Sequence, residues 1–346
     1  MDFARDETQE AVVEVAAGLL ARDLDGDALW AAFAEADLLT LALPERLGGE
    51  GLTVTDVGAL LTEVGRKSAP IPALATLGFG VLPIVALGDA SVQDSLLAGM
   101  ADGRVFTAAL AEPGAQFPAR PSVTAVADGD AYRVTGRVLA VPFAEKAYRI
   151  LVPTDAGVVL VEAAADGVTL TPTPSASGSP EFAISFDGAR GELLAPGEEA
   201  VATLHRIALA SIGAVADGLL AGATALAGEH LATRQQFGRP LATFQAVSQQ
   251  IADVYVTSRT LHVSALAAAW RVSEGLDAQD DLDVMAYWIA AEVPAAMQVL
   301  HHLHGGIGVD VTYPLHRYYS TAKDLARLVG GASYRLDLVG ARCSSI

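Results

Sequence analysis

The hydrophobic period of this chain changes twice, and that alternation limits what it can fold into more than any single motif. Over residues 8–24 the apolar side chains Val12, Val15, Ala16, Leu19 and Leu20 recur at helical spacing, which makes one amphipathic face. A second helical stretch covers about 27–38, and 54–65 reads as helix again after the glycine turn Gly48-Gly49-Glu50-Gly51. Near Val105 the period shortens to that of strands. Residues 122–126 and 132–135 flank Asp128-Gly129-Asp130, a sequence suited to a hairpin turn. Further short strands are expected at 150–152, 157–162, 168–172 and 181–186, with a Ser/Pro/Thr-rich loop over 171–180. Such strands without intervening helices predict a small antiparallel barrel or sandwich. After Pro196-Gly197 the helical period returns over 198–235, 241–275, 280–302 and 313–329, the pattern of a helical bundle. The expected layout is an N-terminal α-helical domain (1–104), a middle β-domain (105–197) and a C-terminal four-helix bundle (198–346), with no internal repeat.

Composition narrows the function. With 22 basic against 41 acidic residues, a net charge of −19 and only the lysines Lys67, Lys146 and Lys323, no basic stripe is available to displace counterions from a nucleic acid. A hydrophobic content of 52% with 18% charged residues is enough apolar surface for a core and argues against disorder. The single cysteine, Cys343, excludes an internal disulfide and a cysteine-rich zinc site. The start Met1-Asp2-Phe3-Ala4-Arg5 lacks the pattern of a targeting signal, so a cytoplasmic location is expected. The uncharged stretch 68–88 is long enough to span a membrane, but Pro70, Pro72, Pro83, Gly78 and Gly80 favour a buried loop and core helix of a protein with no membrane partner.

Several chemistries fail on their motifs. No Gly-Lys pair exists for a phosphate loop, and Gly306-Ile307-Gly308 is followed by Val311 where a dinucleotide fingerprint needs glycine. A nucleophile elbow is missing. The trio His301, His302 and His304 lacks the spacing and the carboxylate of a helical zinc motif, so no metal is expected.

Two segments carry information together. One is Arg234-Gln235-Gln236-Phe237-Gly238-Arg239-Pro240-Leu241, with Phe244-Gln245 after it; the other is Leu303-His304-Gly305-Gly306-Ile307-Gly308-Val309, followed by Tyr313-Pro314-Leu315-His316-Arg317. Arg234 at a helix end offers a fork of donors to a pyrophosphate. Phe237 can pack on an aromatic or ribose edge, Gln245 presents both a donor and an acceptor, and a Gly305-Gly306 turn lets backbone approach closely. With this order of domains, the chain resembles the acyl-CoA dehydrogenase family over most of its length, most closely between Arg234 and Arg317. The resemblance implies that family's fold, with its small antiparallel β-barrel between the helical domains. It also implies FAD as cofactor and an acyl-CoA substrate. By the same resemblance Arg234, Phe237, Gln245, Gly305 and Gly306 bind the ADP half of an FAD whose ring lies in a neighbouring subunit. His302 stands where the family usually has a glutamine in that site.

The sequence also departs from the family. The glutamate base that removes the acyl α-proton corresponds here to Val329, and the alternative base position, just before Arg206, to His205. The family's Thr-Glu-Pro-Gly-Ala-Gly-Ser-Asp stretch reads Ala111-Glu112-Pro113-Gly114-Ala115-Gln116-Phe117-Pro118, and its Trp-Ile-Thr reads Ala140-Val141-Pro142. No catalytic residue is therefore assigned, while the ADP contacts persist. That combination resembles the shorter, non-catalytic subunit of actinobacterial heterotetrameric enzymes acting on CoA esters of steroid side chains, which implies an α2β2 assembly with a second acyl-CoA dehydrogenase subunit. Two other readings stay open: a self-sufficient homotetramer using His205 as base, and a flavin-free scaffold or acyl-CoA-binding protein.

Overall fold

The computed structural model describes residues 3–344, and leaves Met1, Asp2 and the Cys343 side chain, on which two of these expectations rest, outside the described set. The N-terminal layer is helical: α1 (Glu7–Leu20), α2 (Gly26–Glu35), α3 (Val54–Arg66), α4 (Leu82–Leu87) and α5 (Ala90–Leu97). Aspartates start three of these helices. The carboxylates of Asp6, Asp25 and Asp89 accept from backbone N–H groups three residues on, satisfying donors that a helix start leaves open. The uncharged stretch 68–88 runs through a wide helical turn, Leu74–Val81, directly into α4 and is largely buried.

Nine strands form the central sheet: β1 (Val105–Ala108), β2 (Ala111–Glu112), β3 (Ala115–Gln116), β4 (Thr124–Asp128), β5 (Ala131–Pro142), β6 (Ala147–Thr154), β7 (Gly157–Val161), β8 (Val168–Pro172) and β9 (Glu181–Pro196). Their order is β1-β6-β7-β9-β5-β2-β3, with β4 on β5 and β8 on β9. All pairs are antiparallel except β1–β6, which is parallel. Strands β5 and β9, with 12 and 16 residues, are longer than the sequence suggests. Register shifts after Val134 and Val138 in β5 break the period of two from which a strand is read.

The bundle holds α6 (Gly197–Thr233), α7 (Gln245–Ser273), α8 (Gln279–His304), α9 (Leu315–Leu328) and a fifth helix, α10 (Gly331–Cys343), beyond the four expected. Between α6 and α7, β10 (Gln235–Gln236) and β11 (Arg239–Pro240) form a small hairpin. Among the described residues α6 alone is long and apolar enough to cross a membrane, yet 89% of its apolar window is buried in the fold. It is the central helix, and one apolar core runs from α1–α3 across β1 to the bundle. A second core fills the sheet.

The seam between the N-terminal layer and α6 is close. A Cβ on Gly218 would lie 1.8 Å from the Thr62 carbonyl oxygen, and one on Gly65 would lie 2.1 Å from that of Val215. Backbone meets backbone there because no side chain intervenes.

Candidate functional site

The fold brings both informative motifs to one end of the bundle. Arg234 ends α6, with its N–H donating to the His230 carbonyl at 2.8 Å. The chain then turns through Phe237 and Gly238, whose φ values of +53° and +80° suit a two-residue hairpin loop that matches strand twist. The turn pushes the Phe237 ring outward to 92% exposure, its edge against Phe244 at 6.2 Å. Arg239 lies over the other ring of that pair, 4.1 Å from the Phe244 centroid. Gln245 opens α7 and is exposed.

The second motif ends α8. His302 is exposed, and Gly305 closes the helix at φ +62°, ψ −141°, a conformation open essentially to glycine. No atom beyond the chain neighbours comes within 4 Å of a Cβ built on Gly305 or Gly306, so this turn presents open backbone. The two helix ends touch through His230 and His304, whose rings stack with centroids 4.5 Å apart.

These residues fit the ADP half of a dinucleotide. The Arg234 guanidinium has no hydrogen bond or ion pair among the described residues. Beside it stand an exposed ring, an exposed amide and an unobstructed glycine turn. An unpaired guanidinium fork is the donor a pyrophosphate needs.

The positions that carry base chemistry in the resembled family meet elsewhere, in a sealed cluster. Val329 is fully buried, and its carbonyl accepts from Arg335 Nε. The Arg335 guanidinium, itself 2% exposed, pairs with buried Asp283 at 3.3 Å, and Arg342 reaches the same carboxylate at 2.9 Å. Arg335 Cζ lies 5.4 Å from the Phe117 ring centroid, and the edge of that ring packs on His205 at 5.3 Å. Tyr334 OH donates to the Gln116 carbonyl at 2.7 Å, tying α10 to the 111–118 segment. His205 Nε2 and Arg335 Nη2 have no hydrogen-bond partner among the described residues. Burial first, and the Arg335 charge second, push the His205 pKa down to about 3. An imidazole so reluctant to bind a proton is a poor general base near neutrality.

The 111–118 segment, which the resemblance aligns with the family's flavin-lining stretch, lies against this cluster. Ala111–Glu112 and Ala115–Gln116 pair as a tight hairpin. Glu112 is spent on the backbone, accepting from Ser122 N–H at 2.9 Å and Val123 N–H at 3.2 Å. Phe117 sits at φ +51° and Ala140 at φ +56°, where β5 bulges. These residues do not fit a flavin ring: Arg335 occupies the Val329 carbonyl, Phe117 packs on His205, and Pro142 has no N–H to offer.

A cavity of about 710 Å³ opens beside this cluster, where the three layers meet. Its floor is apolar, with Leu74, Phe79, Val215, Leu219 and Leu328, and Arg317 and Arg327 stand among its polar lining. Asp324 accepts from the backbone N–H groups of Ala176 and Ser177, both at 2.8 Å, and pins the serine loop next to it. Neither Val329 nor His205 lines this space.

Arg335, Asp283 and the His230–His304 stack are not among the residues the sequence points to. Asp283, set between the buried Leu282 and Met285, is the available signal, since a buried carboxylate needs a cation.

Two family models match: "Acyl-CoA dehydrogenase, N-terminal domain" over residues 1–104 and "Acyl-CoA dehydrogenase, C-terminal domain" over residues 201–343. The acyl-CoA dehydrogenase FadE28 of Mycobacterium tuberculosis is 50% identical, with 99% of each chain covered. Among solved structures, a variant of the Tcur3481-Tcur3483 steroid ACAD is similar at 34% identity and a TM-score of 0.89, covering 98% of this chain and 97% of the other. The ChsE4-ChsE5 complex from M. tuberculosis is similar at 28% identity and a TM-score of 0.91, with both chains fully covered.

Proposed function

We propose, since this chain belongs to the acyl-CoA dehydrogenase family of oxidoreductases, that it works as the base-less subunit of a heteromeric FAD-dependent enzyme, completing the ADP half of its partner's cofactor site. One observation carries this reading: Arg234, Phe237, Gln245, His302 and the Gly305-Gly306 turn all stand exposed, while Val329 and His205 are buried, with Arg335 on the Val329 carbonyl and Phe117 against His205. The α2β2 arrangement is supported by the similarity to two proteins described as pairs. A CoA ester of a steroid side chain as the substrate of the assembled pair is supported by the description of one of them as a steroid ACAD.

When bound, FAD supplies the acceptor for the hydride that leaves the acyl β-carbon as the α-proton is removed. This chain's residues bind and orient. The Arg234 fork neutralises the pyrophosphate, Gln245 and His302 supply polar contacts, the Phe237 ring covers an apolar edge, and the Gly305-Gly306 backbone closes in. Proton transfer falls to the partner, because this chain offers only a valine and a histidine held neutral by burial.

Replacing Arg234 by alanine tests the assignment. Losing a charge-assisted fork is expected to weaken FAD binding by the complex roughly tenfold to a hundredfold, about 1.5–3 kcal/mol, without changing the native mass. An unchanged flavin affinity contradicts the role. The self-sufficient reading, with His205 as base, predicts instead that the isolated chain loads flavin and turns over.

A further inference from the structure

The two motifs are tied together by residues outside the contact set. His230, one turn before Arg234, stacks on His304 with ring planes 18° apart. His304, directly before Gly305, is 6% exposed. Its Nδ1 donates to the Leu300 carbonyl at 2.7 Å, since a carbonyl can only accept, which leaves Nε2 to accept from the Tyr313 hydroxyl at 3.2 Å. The Tyr313 ring lies against His304 at 5.4 Å. One neutral imidazole thus joins α6, α8 and the loop that leads to α9. Its position sets how far the Arg234 fork stands from the glycine turn.

We propose that the His230–His304 stack is a positioning element of the FAD half-site, holding the two motifs in register while both rings are neutral and letting the flavin go when either ring is protonated. This rests on the half-site reading above. The surroundings offer an imidazolium little. From α6, Arg234 places a positive charge near His230, and Glu229 acts on Tyr313; from α8, His301 faces His304; from the loop, Tyr313 uses the Nε2 lone pair. No carboxylate hydrogen-bonds either ring among the described residues. Burial leads in holding both rings below the usual histidine range. Arg234 adds to this for His230, and His230 and His301 add to it for His304, against the Leu300 hydrogen bond. Protonation of His304 turns Nε2 from acceptor into donor, so the Tyr313 contact must reverse while a charge enters the stack.

The test uses the flavin-loaded complex with its partner subunit, desalted between pH 8 and pH 5, with bound FAD read from its visible absorbance. Wild type is expected to keep FAD at pH 8 and shed most of it on acidification below the usual histidine range, since both rings are held below that range. His304→Phe and His230→Phe keep an aromatic ring but cannot titrate; each is expected to shift flavin loss to lower pH, the double variant most. His230→Ala with His304→Ala is expected to lose flavin at pH 8 as well. Identical pH profiles for wild type and the phenylalanine variants overturn the proposal. The thermal melting of the full chain without flavin, followed over the same pH range, is a second readout. Wild type is expected to lose melting temperature on acidification more steeply than His230→Phe, whose half-buried site tolerates substitution, and equal slopes again overturn the proposal. A wild-type complex holding no FAD at pH 8 would instead count against the half-site reading, and the melting slopes would still decide the stack.

Discussion

At the scale of the residue, His205 shows how position and chemistry separate. The resemblance aligns it with an alternative base position, yet it is buried against the Phe117 ring, within the field of the Arg335 charge. Its pKa is pushed from 6.5 to about 3, by burial first and Arg335 second. The unfolded chain therefore takes up this proton before the folded chain does. The stabilisation is complete above the unfolded value near 6.5 and is lost as pH falls toward 3. His205→Leu is expected to flatten the loss of stability between pH 6.5 and 4, read from urea midpoints across that range, though not to abolish it, because His230 and His304 titrate in the same direction. An unchanged slope would mean that the imidazole is protonated inside the fold. The sequence marked His205 and Val329 as unusual by position alone. It could not show that Arg335, far along the chain, closes over both, since that contact exists only once α10 docks against β3 through Tyr334 and Gln116.

At the scale of the element, legibility followed periodicity. The long bundle helices were readable because their apolar faces repeat, and α6 was found nearly to the residue between Pro196-Gly197 and Arg234. Strands β5 and β9 were cut short, because bulges and turns of positive φ at Gly136, Ala140 and Gly188 interrupt their alternation. Helix α10 lies beyond the last expected helical stretch, 313–329, from which Gly330 and Gly331 at positive φ separate it. The parallel β1–β6 pair was also invisible, as it depends on how β1 leaves the helical layer. The α3–α6 seam yields a prediction at this scale. Gly218→Ala places a methyl group against the Thr62 carbonyl, where the gap is 1.8 Å, and the helices must move apart. A destabilisation of about 1–3 kcal/mol is expected from overpacking, measured by urea unfolding. A neutral substitution would mean the seam is looser than its geometry.

At the scale of the whole molecule, the three layers share one apolar core across the N-terminal helices and the bundle, so the functional division is not between domains but between faces. One face, at the end of α6 and α8, is exposed and presents the Arg234 guanidinium and an open glycine turn. The interior face, beside the 710 Å³ cavity, buries both Val329 and His205. A net charge of −19 disfavours recruitment of a polyanionic ligand by long-range attraction, so the half-site proposed above relies on local donors such as Arg234. The most direct measurement is the flavin content and native mass of this chain alone and in complex with its partner subunit. The account predicts a colourless chain alone and one FAD for each pair of subunits in an α2β2 complex. A yellow homotetramer of this chain, whose flavin bleaches on adding an acyl-CoA, would contradict it.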